Sequence, residues 1–368
     1  VLDYTPIIET NKRDFSTNGT NWYITGLDKE ENEVPQTVID DLSFLYNAAI
    51  SRLELDTLDK RMGEIRNYEN TQGIWFRTSA GELKSDVSDS SFENDYYMLQ
   101  VGYDKKKVSE KGNWFTGFAV SRRQNDIDFR NGDGESENIG LSLYRSFAGK
   151  NNTYFDLIGK YTYLDTEYKV HNSNSEMKAD YDTWAGTLSA EFGKKYSSKN
   201  DKWYITPHAQ LNYTYVNGED YTTSTGVKVE QDNIDSLIGR IGVYAGKDFE
   251  KSSHYLKVSV LNEFMGDYGA VIKGADTSLT KKIDGDDTWT EVGIGGNFQV
   301  GNSGTTHIYY DVEKTFGSRF ETQWQGTLGF RISFDKINDL FTAPAKPLTK
   351  NKTKEGRTTN RKVEVNYN

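Results

Sequence analysis

The chain of 368 residues has no cysteine, only 5 prolines and no long apolar run. Without cysteine it forms neither a disulfide framework nor a thiolate metal site. No segment approaches the length of about 18 apolar residues that marks a transmembrane helix, so helical membrane spans are excluded. A transmembrane β-barrel is still compatible with the composition, because its lipid-facing residues alternate with polar lumen-facing ones.

The chain is acidic on balance and rich in aromatic residues. Its formal net charge of −11 and its pI of about 5.1 argue against nucleic acid as a partner. The mean hydropathy is −0.76, yet 13% of the residues are aromatic, with 24 Tyr and 7 Trp. The opening residues, VLDYTPIIET, lack the basic and apolar regions of a signal peptide, so we expect any export signal to lie upstream.

Apolar and polar residues alternate in twelve segments from residue 73 onward, each about as long as a tilted membrane-spanning strand. In the last segment, QWQGTLGFRISF, one face carries Trp324, Leu328, Phe330, Ile332 and Phe334. The twelve segments lie at 73–81, 96–104, 113–121, 138–147, 154–164, 184–193, 203–216, 236–246, 255–264, 289–300, 307–314 and 323–334. This pattern predicts an all-β transmembrane protein, a 12-stranded antiparallel up-and-down β-barrel over residues 73–334, with lipid covering the apolar face.

The connections between these segments alternate in length. Short ones such as AGKNN and VGNSG often carry lysine, whereas the long polar ones are predicted to be external loops at 125–138, 165–182, 216–232 and 266–287. Outer-membrane barrels have short periplasmic turns and longer external loops in this order. A soluble β-sandwich has no reason to sort its loops in this way.

Charged residues fall on the opposite face from the apolar ones. A dry core would destabilise each such ion by several kcal/mol, whereas a wet barrel lumen would not. The predicted pore-lining charges are Arg77, Asp156, Lys160, Glu191, Arg240, Lys257, Glu263, Glu291, Asp311, Glu313 and Arg331.

One segment before the barrel has helical periodicity instead. Residues 34–67 begin with Pro35 near the first turn and continue without Gly or Pro until Gly63, with apolar residues three and four apart. At ~1.5 Å per residue, about 30 residues would span the membrane. The polar sides of this helix suit a lumen rather than lipid, so we predict one continuous pore-spanning α-helix. The alternative is a surface helix on a soluble domain.

A helix followed by twelve alternating strands that end in an aromatic residue resembles the C-terminal translocator domain of autotransporters, the type V secretion family. NWYITGL (21–27) is similar to the last rung of a passenger β-helix, and LDKRMGEIR (58–66) resembles the family's helix-to-barrel junction. GFRISF (329–334) resembles the terminal signal that the barrel-assembly machinery recognises, which assigns that role to Trp324, Leu328, Phe330, Ile332 and Phe334.

The resemblance implies a location in the bacterial outer membrane, with the passenger at the cell surface. Implied partners are membrane lipid, the barrel-assembly machinery, periplasmic chaperones and the chain's own passenger, for which 1–33 would be a remnant. The implied function is secretion of that passenger, with the helix as an anchor or plug. A free-standing channel or an adhesin with exposed loops remains the main alternative, and an omptin-type protease is a third.

Some members of the family cut themselves in the pore at an Asn-Asn pair, where an Asn side-chain nitrogen attacks its own carbonyl. The matching positions here are Asp56 and Thr57 within ELDTLDKRMG. Asp56 has no amide nitrogen, so we predict that this candidate cleavage junction stays intact and that the domain is not an enzyme. Wall carboxylates that could otherwise assist are Asp156, Glu191, Glu263 and Glu291.

No cofactor or metal site is predicted, because His171, His208, His254 and His307 lie far apart without ligand spacing. The basic segment 335–368 continues beyond the point at which the family usually ends, and its Pro and Lys content predicts a disordered periplasmic tail. Within it, EGRTTNRKVEV is similar to the end of peptidoglycan-binding domains of the outer-membrane protein A type, which raises the hypothesis of a cell-wall contact.

Overall fold

The computed structural model describes residues 2–10, 22–31, 45–57, 60–61, 71–87, 90–172, 175–198, 202–274 and 278–335. No helix in these ranges has both the length and the apolar character that a membrane crossing requires. Within these ranges, α1 covers Leu45–Leu53, and most of the other described residues are in strands.

Nineteen strands, β1 to β19, follow one another in the described residues. Their bounds are Leu2–Thr10, Trp22–Glu31, Gln72–Val87, Ser90–Val108, Gly112–Phe129, Gly132–Gly149, Thr153–Asn172, Ser175–Lys194, Tyr196–Ser197, Trp203–Val216, Asp220–Thr222, Lys228–Gln231, Ile234–Asp248, Ser252–Glu263, Tyr268–Lys273, Ser278–Ile283, Asp287–Val300, Thr306–Phe316 and Phe320–Phe334. β1 and β2 form a separate antiparallel hairpin. This pairing differs from the parallel strands of a β-helix, and the assignment of residues 1–33 to a passenger stays a prediction.

Twelve of the strands close into an antiparallel barrel, which confirms the predicted fold class. The order around the barrel is β3–β8, β10, β13, β14, β17, β18 and β19, and each strand pairs with the next one in the set. The seam that closes the barrel joins the first strand to the last, with Gln72 opposite Phe334 and Gly81 opposite Gln325. The two-residue strand β9 is a spur on β10 outside this cycle.

Side chains alternate between the two surfaces of the barrel. On β10, Ile205 and Leu211 are more than half exposed, whereas Gln210 and Asn212 are buried. Exposed Leu, Ile, Val and aromatic side chains recur at one parity on the barrel strands other than β3, where the outward Ile74 and Phe76 are partly exposed. The outer surface therefore presents an apolar band, and the polar side chains face inward.

The C-terminal end of this band corrects one expectation. Trp324, Leu328 and Phe330 on β19 are 46%, 54% and 40% exposed, and Ile332 is partly exposed. Phe334 is only 4% exposed, so it is not a lipid-facing side chain. The alternation of exposure ends before the last residue of the strand, at the point where β19 meets the start of β3.

The prediction of long external loops is wrong at 125–138 and 165–182, whereas 216–232 and 266–287 are long connections between barrel strands that carry structure of their own. Residues 125–138 and 165–182 lie mostly in strands, because β5 to β8 are 18 to 20 residues long and extend beyond the band. Residues 216–232 and 266–287 contain a second, four-stranded sheet in the order β11-β12-β15-β16. Inward apolar residues such as Ile127 and Phe129 continue the alternation into these segments, and backbone pairing to the neighbouring strands completes them.

We call the sheet β11-β12-β15-β16 the cap. It lies at the barrel end opposite the short turns, and its inner face buries Val229, Ala270 and Ile272. On its outer face, hydrogen bonds from Lys228 and then Lys273 hold the pKa of the exposed Glu230 carboxyl below its usual value. The cap is therefore amphipathic, with its apolar side turned toward the barrel.

An apolar core fills the external end of the lumen, where a polar pore was expected. Leu45, Tyr46 and Ile50 of α1 are fully buried in one cluster with Val229 and Ile272 of the cap and with inward residues of the long strands. Full burial of an aliphatic side chain of this size stabilises the fold by about 1.5–3 kcal/mol. The cap and the extended strands thus hold α1 in place like the core of a soluble domain.

The predicted continuous helix over 34–67 is wrong at residues 54–57. The last α-helical hydrogen bond of α1 is donated by Glu54 N to Ile50 O at 2.8 Å. Leu55 N donates instead to Arg52 O at 3.3 Å, three residues back rather than four. Residues 55–57 have no regular secondary structure, and the chain is helical again at 60 and 61. Residues 34–44 and 62–67 of the predicted helix lie outside the described residues.

Candidate functional site

We call residues 45–57 with 60–61 the internal segment, because the walls of the barrel surround it. Its charged side chains are all buried or largely buried, and each is paired with a wall residue of opposite sign. The charged members are Arg52, Glu54, Asp56, Lys60 and Arg61. The candidate functional site is this segment together with its ring of wall partners.

The external end of the segment is fixed by Arg52. Its guanidinium lies 3.1 Å from the carboxylate of Glu263 and 3.2 Å from that of Asp287. The same guanidinium lies 3.8 Å above the ring of Trp289. Leu55 packs near this point against Ile238, Leu261 and the same tryptophan. The two carboxylates balance the charge of the guanidinium, and the aromatic ring packs against its flat face.

Glu54, two residues after Arg52, has two cationic partners. Glu54 lies 3.2 Å from Arg123 on β5 and 2.5 Å from Lys160 on β7. Arg123 also donates to the carbonyl oxygen of Leu53 at 2.6 Å. The last carbonyl groups of a helix have no partner within the helix, so this bond closes the C-terminus of α1 from the wall.

The break in the helix lies at Asp56 and Thr57, the candidate cleavage junction. The Asp56 carboxylate accepts two hydrogen bonds from Arg77, at 2.9 and 2.7 Å, and its carbonyl oxygen accepts one from Gln210 at 2.6 Å. Thr57 acts as a helix cap, since its hydroxyl oxygen accepts from Lys60 N at 3.3 Å and its carbonyl from Arg61 N at 3.2 Å. Wall contacts and a cap therefore replace the helical bonds here.

Lys60 and Arg61 continue the pairing toward the end with the short turns. Lys60 forms an ion pair with Glu313, which is shared with Lys257 of the wall. Arg61 donates to both oxygens of Asp156 at 2.7 Å. Tyr309 donates to the carbonyl oxygen of Arg61 at 2.8 Å. The wall thus holds both the side chains and the backbone of this stretch.

Wall charges that do not contact the internal segment pair with one another. Arg240 lies 2.8 Å from Glu291, and Arg331 lies 2.6 Å from Asp104 across the barrel seam. Glu191 accepts a hydrogen bond from Tyr154. The eleven residues proposed as pore-lining charges all lie on the inner parity of their strands, and they face the internal segment or one another.

Sequence reasoning missed three wall charges of the lumen, two of which, Arg123 and Asp287, contact the internal segment. Asp104 is the last residue of a predicted strand. It was not included among the predicted pore-lining charges, although its position in the alternation places its side chain inward. Arg123 and Asp287 lie just outside the predicted strands 113–121 and 289–300, and Asp287 is the last residue of the predicted loop 266–287. Extending the parity of the neighbouring strand by two residues places both of them in the lumen.

The four histidines remain apart in the structure. Two of them, His208 and His307, are buried in the lumen wall. His208 stacks on Tyr244, and His254 contacts Phe298. His307 is buried, and His171 is exposed beside Asp133. Within the part of the chain that the structure describes, no three His, Asp or Glu side chains are placed to hold a metal ion together.

The profile of one protein family, the autotransporter beta-domain, matches residues 74–311. Curated relatives include the serine protease EspP of Escherichia coli, 28% identical over 90% of this chain, and the probable autotransporter YcgV of Escherichia coli K12, 28% identical over 77%. The chain spans about a quarter of the length of these relatives, 25% and 30% respectively.

Solved structures show the same fold. The beta domain of the Bordetella autotransporter BrkA matches with a TM-score of 0.62 and 22% identity, over 72% of this chain and 100% of that one. The translocator domain of NalP from Neisseria meningitidis matches with a TM-score of 0.63 and 11% identity, over 81% of this chain and 99% of that one. Since the family profile covers more than half of the chain and the barrel has the fold of these domains, the chain belongs to the autotransporter family and carries its outer-membrane β-barrel.

Proposed function

We propose that the barrel serves the export of a passenger joined to its N-terminal side and that the internal segment afterwards closes the lumen. The observation that carries this proposal is the pairing of every charged residue of that segment with an opposite charge on the wall. An open channel would leave such wall charges to solvent and ions. A polypeptide that has passed through the barrel and stopped in a fixed register explains the pairing.

The organisation of the whole chain follows from this proposal. Residues 1–33 belong to the end of the passenger or its linker, 34–67 lie in or at the pore, 73–334 form the barrel, and 335–368 form a periplasmic tail. The even number of strands supports the last assignment, since it returns both barrel ends to the side with the short turns. A peptidoglycan contact of the tail is part of this proposal.

Assembly partners belong to the same proposal. The exposed aromatic and aliphatic face of β19, formed by Trp324, Leu328 and Phe330 with Ile332, suits recognition by the barrel-assembly machinery during insertion. Before insertion the apolar band is unprotected in the periplasm, where chaperones would be required. Exposed apolar surface of this extent aggregates unless it is covered.

We further propose that the barrel itself has no turnover activity. Several relatives carry the words serine protease in their names, but the chain spans only a quarter of their length. The carboxylates Asp156, Glu263 and Glu291 are engaged in ion pairs with arginine, which suits positioning rather than proton transfer. Any protease activity of the whole protein would then reside in its passenger.

The test is surface display. An epitope-tagged passenger fused ahead of residue 1 should be digested by protease added to intact cells, while the barrel stays in the outer-membrane fraction. A matched fusion that ends after residue 319, and so lacks β19, should leave the tag protected inside the cell. Protection of the tag in the complete fusion, with the barrel correctly inserted, would contradict the export function.

A further inference from the structure

The outward face of the barrel carries a groove in its apolar band. It has a volume of about 490 Å³ and crosses β8, β10 and β13. Its floor includes the small residues Ala190, Ala209 and Gly239, one from each of these strands, and the exposed Leu211 stands between Ala190 and Gly239 in the register. Small residues also stand at this parity elsewhere, for example Ala80, Gly159 and Gly186, but here three of them lie on three neighbouring strands and leave a depression.

Large apolar side chains form the walls of the groove. Phe192, Ile241 and Phe264 are each more than half exposed and border the floor. The Phe264 ring lies over Gly239, where an added Cβ would come within 2.8 Å of it. Asn262, a polar side chain at the rim, is already bonded to Thr288 and to the carbonyl oxygen of Glu263. The groove therefore offers packing surface but no unpaired polar group.

The position of the groove determines what fills it. It lies within the band that faces membrane lipid, so it is continuous with an interface whose other side is acyl chains. Between apolar protein and lipid the driving force is packing rather than the hydrophobic effect. A flexible chain enters a concave strip bordered by aromatic rings and gains contacts there that it lacks on a convex wall.

Lys194 lies near the end of the groove nearest the short turns, and Lys247 lies farther along the barrel, six residues beyond Ile241 on β13. Lys194 follows Phe192 by two residues on the same face, about 7 Å along β8. Its Nζ lies 5.2 Å from the ring of Tyr196, and the Nζ of Lys247 lies 5.0 Å from the ring of Trp203. The opposite, external end of the groove has Asp235 at the start of β13 and Asp267 in the loop after β14 rather than lysine. The charges thus favour a phosphate on the periplasmic side.

We propose that this groove binds one glycerophospholipid of the periplasmic leaflet, with an acyl chain over Ala190, Ala209 and Gly239 and the phosphate beside Lys194. The site is independent of passenger export, because it lies on the outer surface and contacts no part of the internal segment. Lipid A of the external leaflet would have to place its phosphates beside aspartates, which is unfavourable.

The acyl part of the proposal is tested by filling the floor. The full chain, purified from outer membranes in mild detergent, is examined by native mass spectrometry, and released lipid is identified by its fragments. Ala209→Leu should reduce the retained phospholipid about tenfold, because the inserted side chain displaces several chain contacts. The matched control Ala80→Leu, on the outward face of β3 away from the groove, should retain as much lipid as the wild type. Heat-modifiability on gels confirms that both variants are folded barrels.

The headgroup part is tested separately with Lys194→Gln. A basic residue near an anionic lipid surface contributes about fivefold in binding, so this variant should retain about fivefold less phosphatidylglycerol. The control is Lys107→Gln on β4, which lies toward the same end of the barrel as Lys194. Lys107 is also opposite a tryptophan in the strand register, and its substitution should cause no loss of lipid. Equal retention in Ala209→Leu and wild type, retention of lipid A alone, or a dimer in place of a lipid-bound monomer would each overturn the proposal.

Discussion

At the scale of single residues, the lumen is organised by opposite charges that are buried together. Removing one partner from such a pair leaves the other without compensation, which costs more than the pair itself contributes. Each charged residue of the internal segment is in this position. Point substitutions in the segment should therefore act through the wall residue that they leave behind.

Glu54→Gln should destabilise the barrel by about 3 kcal/mol, since it leaves Arg123 and Lys160 buried beside each other without an anion. The measurement is the guanidinium unfolding midpoint of the full chain in lipid vesicles. Glu137→Gln is the control, because its ion pair with Arg122 is on the exposed outer surface and should contribute little. Equal shifts in the two variants would show that the lumenal pair is as well solvated as the outer one.

The peptide bond between Asp56 and Thr57 should remain intact in the full-length precursor. Asp56 has no amide nitrogen to attack its own carbonyl carbon, and its carboxylate is held by Arg77. Intact-mass spectrometry of the precursor, expressed in a strain without surface proteases, checks this. A fragment that begins at Thr57 would refute the chemical argument, and Asp156 and Glu291 would then become catalytic candidates.

At the scale of elements, removal of the internal segment should open the barrel. Deletion of residues 34–66, with NYENTQGIW retained, should raise the single-channel conductance in planar bilayers well above that of the intact chain. The physical reason is that a twelve-stranded barrel is wider than its wall side chains alone can fill. The inserted fraction must be equal in both samples. Equal conductance would mean that the lumen is blocked by the cap alone.

The end of β19 should complete the barrel without the following tail. Asp335 accepts hydrogen bonds from Thr71 N at 3.1 Å and from the Gln72 side chain at 2.8 Å, so it joins the end of β19 to the start of β3. A chain that stops after Asp335 should give heat-modifiable barrel in the outer membrane. One that stops after Phe330, and so loses Arg331 and its pair with Asp104, should give much less. Failure of the first truncation would assign an assembly role to the tail.

The strands were predictable from sequence because lipid on one side and a polar lumen on the other impose strict period-two alternation. Eleven of the twelve predicted segments lie within observed barrel strands, and the segment 255–264 exceeds β14 by one residue. The external ends of the strands were not predictable. Beyond the apolar band the outward residues are acidic, as at Asp126 and Glu135, and such a polar sequence is typical of a loop. The helix break was also missed, although Asp56-Thr57 is a strong capping pair. Arg123 closes the end of α1 at the Leu53 carbonyl, and Arg77 and Gln210 hold Asp56 beyond it, contacts that sequence spacing does not reveal.

At the scale of the whole molecule, the barrel has two closures with different chemistry. The middle and lower lumen is closed by ion pairs, whereas the external end is closed by an apolar core that α1 shares with the cap. The cap was missed in sequence because its strands are short and its outer face is polar. Its stability comes from α1 and the barrel rather than from local propensity.

Replacement of β11 and β12 by a short Gly-Ser turn should uncover α1. Tyr46, Ile50 and their neighbours would then face water, and an external protease should cut near the segment more than tenfold faster than in the wild type. A control with Lys228→Gln and Lys273→Gln removes only exposed charges and should leave the cleavage rate unchanged. An unchanged rate in the replacement variant would show that the extended strands protect α1 without the cap.

The seam between β3 and β19 also sets the order of events during biosynthesis. Gln72 and Asp335 meet across the seam although they are 263 residues apart in the chain. Until the ribosome has finished the last strand, β3 has a free edge, and the circle of hydrogen bonds has a gap. A prematurely terminated chain can therefore never seal itself, and its open edge marks it as incomplete for periplasmic proteases. Closure of the ring thus acts as a check that translation reached the final strand.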